Sequence, residues 1–216
     1  MINELDDDGN IKLKIILVGE SGVGKTNLIN IIKGVDFNSN QESSINCSFF
    51  KTEMIIENFN FNIYIWDTIG QERIKKLTKI FYKNSKIVIL VYDITSKESF
   101  NQLQFWLKEV KEELGPDIIL GVLGNKKDLF MKEEVSEEQG SQYAKSIGAR
   151  WVITSAKTER KNFVIFIEDL IRDYIKATGL KNNQKINFAE NKNIVLKNDD
   201  SNNNNKKKKK KKCFFF

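Results

Sequence analysis

At 216 residues, with 40% hydrophobic and 11% aromatic content, the chain suits one sizeable domain with a real core plus an appendage. It has no histidine, which excludes histidine general-base catalysis, Ser-His triads and His-ligated zinc, and its two cysteines, Cys47 and Cys213, make no disulfide framework, which favours a reducing compartment. The net charge of +6 is concentrated in seven consecutive lysines at 206–212, so the rest of the chain is near neutral and a nucleic-acid reading would rest on the tail alone.

Residues 1–10 are short and acidic at Asp6, Asp7 and Asp8, unlike a secretory leader, and are expected to be loose. No run approaches the ~20 apolar residues of a membrane span. Residues 11–18 form an apolar, β-branched strand that ends in glycine, and a helix is expected to run to about Lys33. Residues 34–48 are polar and read as an exposed loop. Two strands, 49–56 and 59–66, flank Glu57-Asn58 as a hairpin. A loop at 67–70 precedes a charged, partly apolar stretch at 72–83 that reads as a helix or a mobile segment. Residues 86–92 (KIVILVY) are continuously apolar, as in a strand buried on both faces.

A long helix is expected over 96–114, with Phe100, Leu103, Trp106, Leu107 and Val110 as a core-packing stripe. Strands at 118–123 and 151–154 alternate with helices at 136–147 and 163–177. This alternation predicts an α/β fold, a mostly parallel sheet covered by helices on both sides. Ligands of such sheets bind beyond the carboxyl ends of the strands. From about residue 179, asparagine and lysine dominate, and the segment is expected to be disordered because it cannot bury enough apolar surface.

Three motifs fall at those strand ends. Gly19-Glu20-Ser21-Gly22-Val23-Gly24-Lys25-Thr26 matches the phosphate-loop pattern between a strand and a helix N-terminus. Its backbone N–H groups and the positive helix end suit a polyphosphate. Lys25 would reach the β- and γ-phosphates and the Thr26 hydroxyl would ligate Mg²⁺. Trp66-Asp67-Thr68-Ile69-Gly70-Gln71-Glu72 supplies a carboxylate, Asp67, for Mg²⁺ through water and a glycine, Gly70, whose N–H suits a γ-phosphate. The Gln71 amide both donates and accepts, so it can orient an attacking water. Asn125-Lys126-Lys127-Asp128 follows a buried strand. Asp128 can accept two hydrogen bonds from guanine, and adenine lacks both donors. Lys126 would cover the base plane and Asn125 would tie this loop to the phosphate loop. Ser155-Ala156-Lys157 follows the last strand and offers a backbone N–H to the guanine oxygen.

These motifs, with L-V-Y-D-I-T, G-N-K-K-D-L and T-S-A-K-T, resemble the small GTPases of the Ras superfamily and within them the Rab family, over roughly residues 13–178. Leu114-Gly115-Pro116-Asp117-Ile118, and Val135-Ser136 leading to Tyr143-Ala144, resemble the early-endosomal branch. The resemblance implies a P-loop NTPase fold, a six-stranded G domain over 11–178, binding of GTP and GDP with Mg²⁺, and GTP hydrolysis. It implies Gln71 and Lys25 as catalytic residues. It implies nucleotide contacts at Gly19, Ser21, Gly22, Val23, Gly24, Thr26, Asn27, Asp67, Gly70, Asn125, Lys126, Asp128, Ser155, Ala156 and Lys157. Ser44 falls at the switch threonine that ligates Mg²⁺ with Thr26 and Asp67, and Phe37 where a ring packs edge-on against guanine. Phe49, Trp66 and Phe81 match an aromatic triad of the Rab effector surface; the plainer reading of Phe81 is core packing.

The sequence departs from the family at Ile69, where alanine usually precedes Gly70, at Asn46, where glycine is common, and at Glu159-Arg160. A second reading therefore keeps the fold but makes the chain a GTP-holding module with little hydrolysis. A third is a Ras-type signalling GTPase. Implied partners are an exchange factor, a GTPase-activating protein, effectors and a prenyl-binding escort, with no nucleic acid and a monomeric chain. Cys213-Phe214-Phe215-Phe216 fits C-a-a-X with a residue that favours geranylgeranylation. One prenyl chain binds membranes marginally, and the adjacent lysines supply a second signal on an anionic membrane. The plainer readings are a solubilising tail or a basic nuclear or nucleic-acid tract.

Overall fold

In the computed structural model, residues 5–37, 48–67 and 81–180 are described. Among them, β1 (Ile11–Val18), β2 (Ser48–Ile56), β3 (Phe59–Asp67), β4 (Ile87–Asp93), β5 (Ile119–Asn125) and β6 (Arg150–Ile153) form a six-stranded sheet ordered β2-β3-β1-β4-β5-β6. Only the β2–β3 pair is antiparallel. Its turn places Glu57 and Asn58 both at positive φ, 49° and 67°, as a two-residue hairpin turn between right-twisted strands requires.

The helices bounded within the described residues are α1 (Lys25–Ile32), α2 (Lys97–Asn101), α3 (Leu103–Leu114), α4 (Glu137–Ser146) and α5 (Arg160–Thr178). The single helix expected over 96–114 is divided at Gln102. Ser96 caps its start by accepting from the Ser99 N–H at 3.1 Å. Ser136 and Gln139 form a reciprocal capping box at the start of α4. A short 3₁₀ helix, Lys127–Lys132, follows β5 and was not legible as an element in the sequence.

Strand alternation divides the core between the two sheet faces. Ile87, Ile89 and Val91 of β4 join Ile15, Leu17, Leu28 and the α5 side chains Phe163, Ile167, Leu170 and Ile171. Val88, Leu90 and Tyr92 of the same strand join Leu103, Trp106 and Val110 of α3 and Ala144 of α4. Each such side chain contributes about 1.5–3 kcal/mol through apolar burial, so the helical faces hold the sheet more strongly than helix propensity does. Residues 5–10, expected to be loose, form a turn instead. Asp6 accepts from the Asn10 N–H at 2.7 Å and from the side chain of Asn62, a buried polar residue of β3 that needs a partner. Among the described residues, no helix is long and apolar enough to cross a membrane.

Candidate functional site

The parallel strands all point their carboxyl ends to one edge of the sheet, where the motif residues gather. β1 is central, between β3 and β4, and the phosphate loop leaves it at Gly19. Gly19 has φ +149°, and a Cβ there would collide with the Val91 carbonyl oxygen, so the loop lies directly against β4. Gly24, at φ +96°, caps α1, and a Cβ would run into the Asn125 side chain. Val23 is buried in the core, whereas Ser21 and Gly22 form the exposed lip of the loop. The first turn of α1 carries no acidic side chain, so nothing of its own neutralises the positive helix end.

Lys25 is buried, and its ammonium donates to the carbonyls of Gly19 and Glu20, each at 2.8 Å. Burial pulls its pKa down to about 8, opposed by the Asp67 and Glu20 carboxylates. A polyphosphate set beside it would push the pKa back up, favouring the charged form. Thr26 Oγ1 donates to Asp67 Oδ2 at 2.7 Å. This brings a hydroxyl and a carboxylate, both hard oxygen donors, to one point at the helix N-terminus. Mg²⁺ takes one or two protein oxygens together with substrate phosphates and water, so this donor pair fits it.

The base-side loops are braced by Asn125. Its Nδ2 donates to the Val23 carbonyl at 2.8 Å and its Oδ1 accepts from the Ala156 N–H at 3.1 Å, which joins three loops through one buried amide. The expected tie between Asn125 and the phosphate loop is thus present in the geometry. Asp128 Oδ1 accepts from Ser155 Oγ at 2.5 Å, and Ser155 Oγ accepts from the N–H groups of Lys157 and Thr158 at 3.1 Å. The amides expected to face a guanine carbonyl are therefore committed here to bracing the loop: Ala156 to Asn125, Lys157 to Ser155. Lys126 adopts φ +69°, and its ammonium pairs with Asp93 Oδ2 at 2.6 Å, which anchors the end of the stem expected over the base. Asp93 is itself ordered by Thr95, whose N–H and hydroxyl donate to its Oδ1 at 2.9 and 2.8 Å.

Phe37 packs against the core cluster on the α5 face, and Asn27 sits in the second position after Lys25 on α1, partly buried. Ser44, Asn46, Ile69, Gly70 and Gln71 lie outside the described residues, as does the tail from 181 with Cys213. The aromatic triad is contiguous. Trp66 stacks on Phe49 with centroids 5.1 Å apart and meets Phe81 at 5.9 Å, with the Lys14 ammonium 4.3 Å from its ring centroid. Phe49 is 56% exposed, so this end of the row is surface and not core.

Three contributors were not singled out as functional by motif. Asp93 is one. Arg160, noted only as a departure, donates to the Val35 carbonyl at 3.0 Å and pairs with Asp36 at 3.3 Å, holding the chain just before Phe37. Trp106, read as core, also donates from its indole to Glu20 of the phosphate loop. A buried tryptophan needs a partner for its N–H, and that was the available signal.

The sequence model described as the Ras family matches residues 14–176. The Ras-related protein Rab-21 of Geodia cydonium is 38% identical over 167 residues, which cover 77% of this chain and 72% of that one. Rab-13 of Bos taurus is 39% identical over 175 residues, covering 80% and 86%. RHN1 of Nicotiana plumbaginifolia, also named Ras-related, is 37% identical over 160 residues, covering 74% and 80%. The matched span takes in the phosphate loop, Asp67, the Asn125–Asp128 loop and Ser155–Lys157, so the chain belongs to the Ras family of small GTPases, in its Rab branch, and binds and hydrolyses GTP.

Proposed function

We propose that this chain is a membrane-attached GTPase switch of vesicle traffic, whose GTPase domain spans residues 11–178. The observation that carries the reading is the convergence at one sheet edge of a phosphate loop, the Thr26–Asp67 pair and the braced Asn125–Asp128 loop. Asp128 selects guanine, the α1 N-terminus and Lys25 hold the phosphates, and Thr26, Asp67 and Ser44 would hold Mg²⁺. When bound, that ion neutralises charge on the β- and γ-phosphate oxygens.

A water oxygen attacks the γ-phosphorus in line, and the bond to the β–γ bridging oxygen breaks, giving GDP and inorganic phosphate. Lys25 and the loop amides stabilise the charge that develops on the leaving oxygens, and Gln71 orients the water. Among the described residues the arginines, Arg150, Arg160 and Arg172, are paired with Asp173, Asp36 and Asp169, so slow intrinsic turnover is expected, and a partner supplying an arginine would accelerate it. Contacts of Ser44 and Gly70 with the γ-phosphate would order two loops that relax on hydrolysis, and effectors would read the difference along Phe49, Trp66 and Phe81.

Single-turnover hydrolysis with Gln71→Leu tests the chemistry. The variant is expected to be at least about tenfold slower than wild type, with GTP affinity retained, because only transition-state positioning is lost. Equal rates would remove Gln71 from the mechanism. A wild-type protein that holds GTP without turnover would favour the GTP-holding module, the reading that Ile69, Ser44 and Asn46 motivate.

Attachment is assigned to a prenyl group on Cys213 together with the lysines at 206–212, on an anionic trafficking membrane of early-endosomal type. Cys213→Ser is expected to move a tagged protein from the membrane to the soluble fraction. An unchanged membrane fraction would exclude the lipid anchor.

A further inference from the structure

Trp106 lies on α3, 3% exposed, within the core cluster that contains Ile16, Val18 and Leu90. Packing alone accounts for its rings but not for its polar edge. Its Nε1–H donates to Glu20 Oε1 at 3.0 Å, across 86 residues of sequence. Glu20 is the second residue of the phosphate loop, and its own carbonyl is one of the two that accept from the Lys25 ammonium. The loop is therefore fastened at separate points. Gly19 is wedged against β4, Glu20 is pinned by Trp106, and Val23 is held by Asn125, while Ser21 and Gly22 remain at the surface.

We propose that Trp106 and Glu20 are a positioning pair that sets the phosphate loop, and through the Glu20 carbonyl the Lys25 ammonium, for the nucleotide. Neither residue is among those expected to contact the phosphates. Their hydrogen bond restricts rotation of the Glu20 peptide, so that its carbonyl stays on Lys25 and the following amides keep their direction. A carboxylate acceptor makes this a charge-assisted bond, stronger than a neutral one. The proposal rests on the nucleotide-binding reading of the same loop and adds to it a support on α3.

The test is release of a fluorescent GDP analogue from the full-length, Mg²⁺-loaded protein, measured beside thermal unfolding. Trp106→Phe and Glu20→Ala are each expected to speed release roughly tenfold, the loss of one charge-assisted bond. Because each removes the same bond, the double variant should release no faster than the faster single. Glu20→Gln keeps an acceptor for the indole and should stay closer to wild type than Glu20→Ala. Val110→Ala, a cavity on the same helix, should lower the unfolding temperature without a matching change in release. Additive single effects would overturn the pair, and so would a Trp106→Phe protein that loses stability as Val110→Ala does but releases the nucleotide no faster than Val110→Ala. If wild type retained no nucleotide, the nucleotide reading itself would fall, and the pair with it.

Discussion

Asp128→Asn is expected to weaken GDP binding at least about a hundredfold and to turn the preference of the site toward xanthine nucleotides. Guanine presents an N1–H and an exocyclic amino group side by side, and an ionised carboxylate is the acceptor-only group that satisfies both. The Ser155 hydroxyl holds Oδ1 of Asp128 at 2.5 Å, and two backbone N–H groups hold Ser155, so the carboxylate is oriented before any base arrives. An asparagine there turns one acceptor into a donor. Against guanine, two donors then face each other without partners, each costing about 1–3 kcal/mol. Xanthine carries a carbonyl where guanine has the amino group, so the same change creates a matched pair. Competition between GDP and xanthosine diphosphate for the purified variant decides the matter. If the variant still prefers GDP, Asp128 does not read the base.

Asn125→Ala should harm both the fold and the site. The side chain is buried, donates to Val23 at 2.8 Å and accepts from Ala156 at 3.1 Å, with Gly24 directly beneath it. Its removal leaves a carbonyl and an amide without their partners, at about 2–6 kcal/mol in total. It also uncouples the phosphate loop from both base loops, so nucleotide release should quicken by about a hundredfold or more. Asn125→Asp is expected to be no milder. It keeps an acceptor for the Ala156 N–H but turns a carboxylate oxygen toward the Val23 carbonyl, two acceptors in contact. Urea unfolding and nucleotide release measured on both variants provide the check. Wild-type stability together with wild-type retention in Asn125→Ala would show that the brace is incidental.

Most of what the sequence determined by itself is local. The apolar runs of β1, β4 and β5, the hairpin at Glu57-Asn58 and the helix that begins near residue 136 follow from periodicity and turn chemistry within a few residues. The same holds for the phosphate loop, Asp67 and Asn125–Asp128, because parallel strands must deliver residues at their carboxyl ends to one edge of the sheet. Tertiary structure alone decided which of these groups touch and what holds them. Trp106 lies 86 residues from Glu20 and Arg160 lies 125 from Val35, and no helical or strand period carries a pairing at that distance. The turn at Asp6 forms because Asn62 is buried on β3 and needs a partner, and Lys126 is anchored because β4 and β5 place Asp93 opposite Asn125. The phosphate loop's composition is thus written in its own eight residues. Its position is set by α3, β4 and the Asn125 amide, since a glycine-rich backbone has little rigidity of its own and takes its shape from what it is packed against and hydrogen-bonded to.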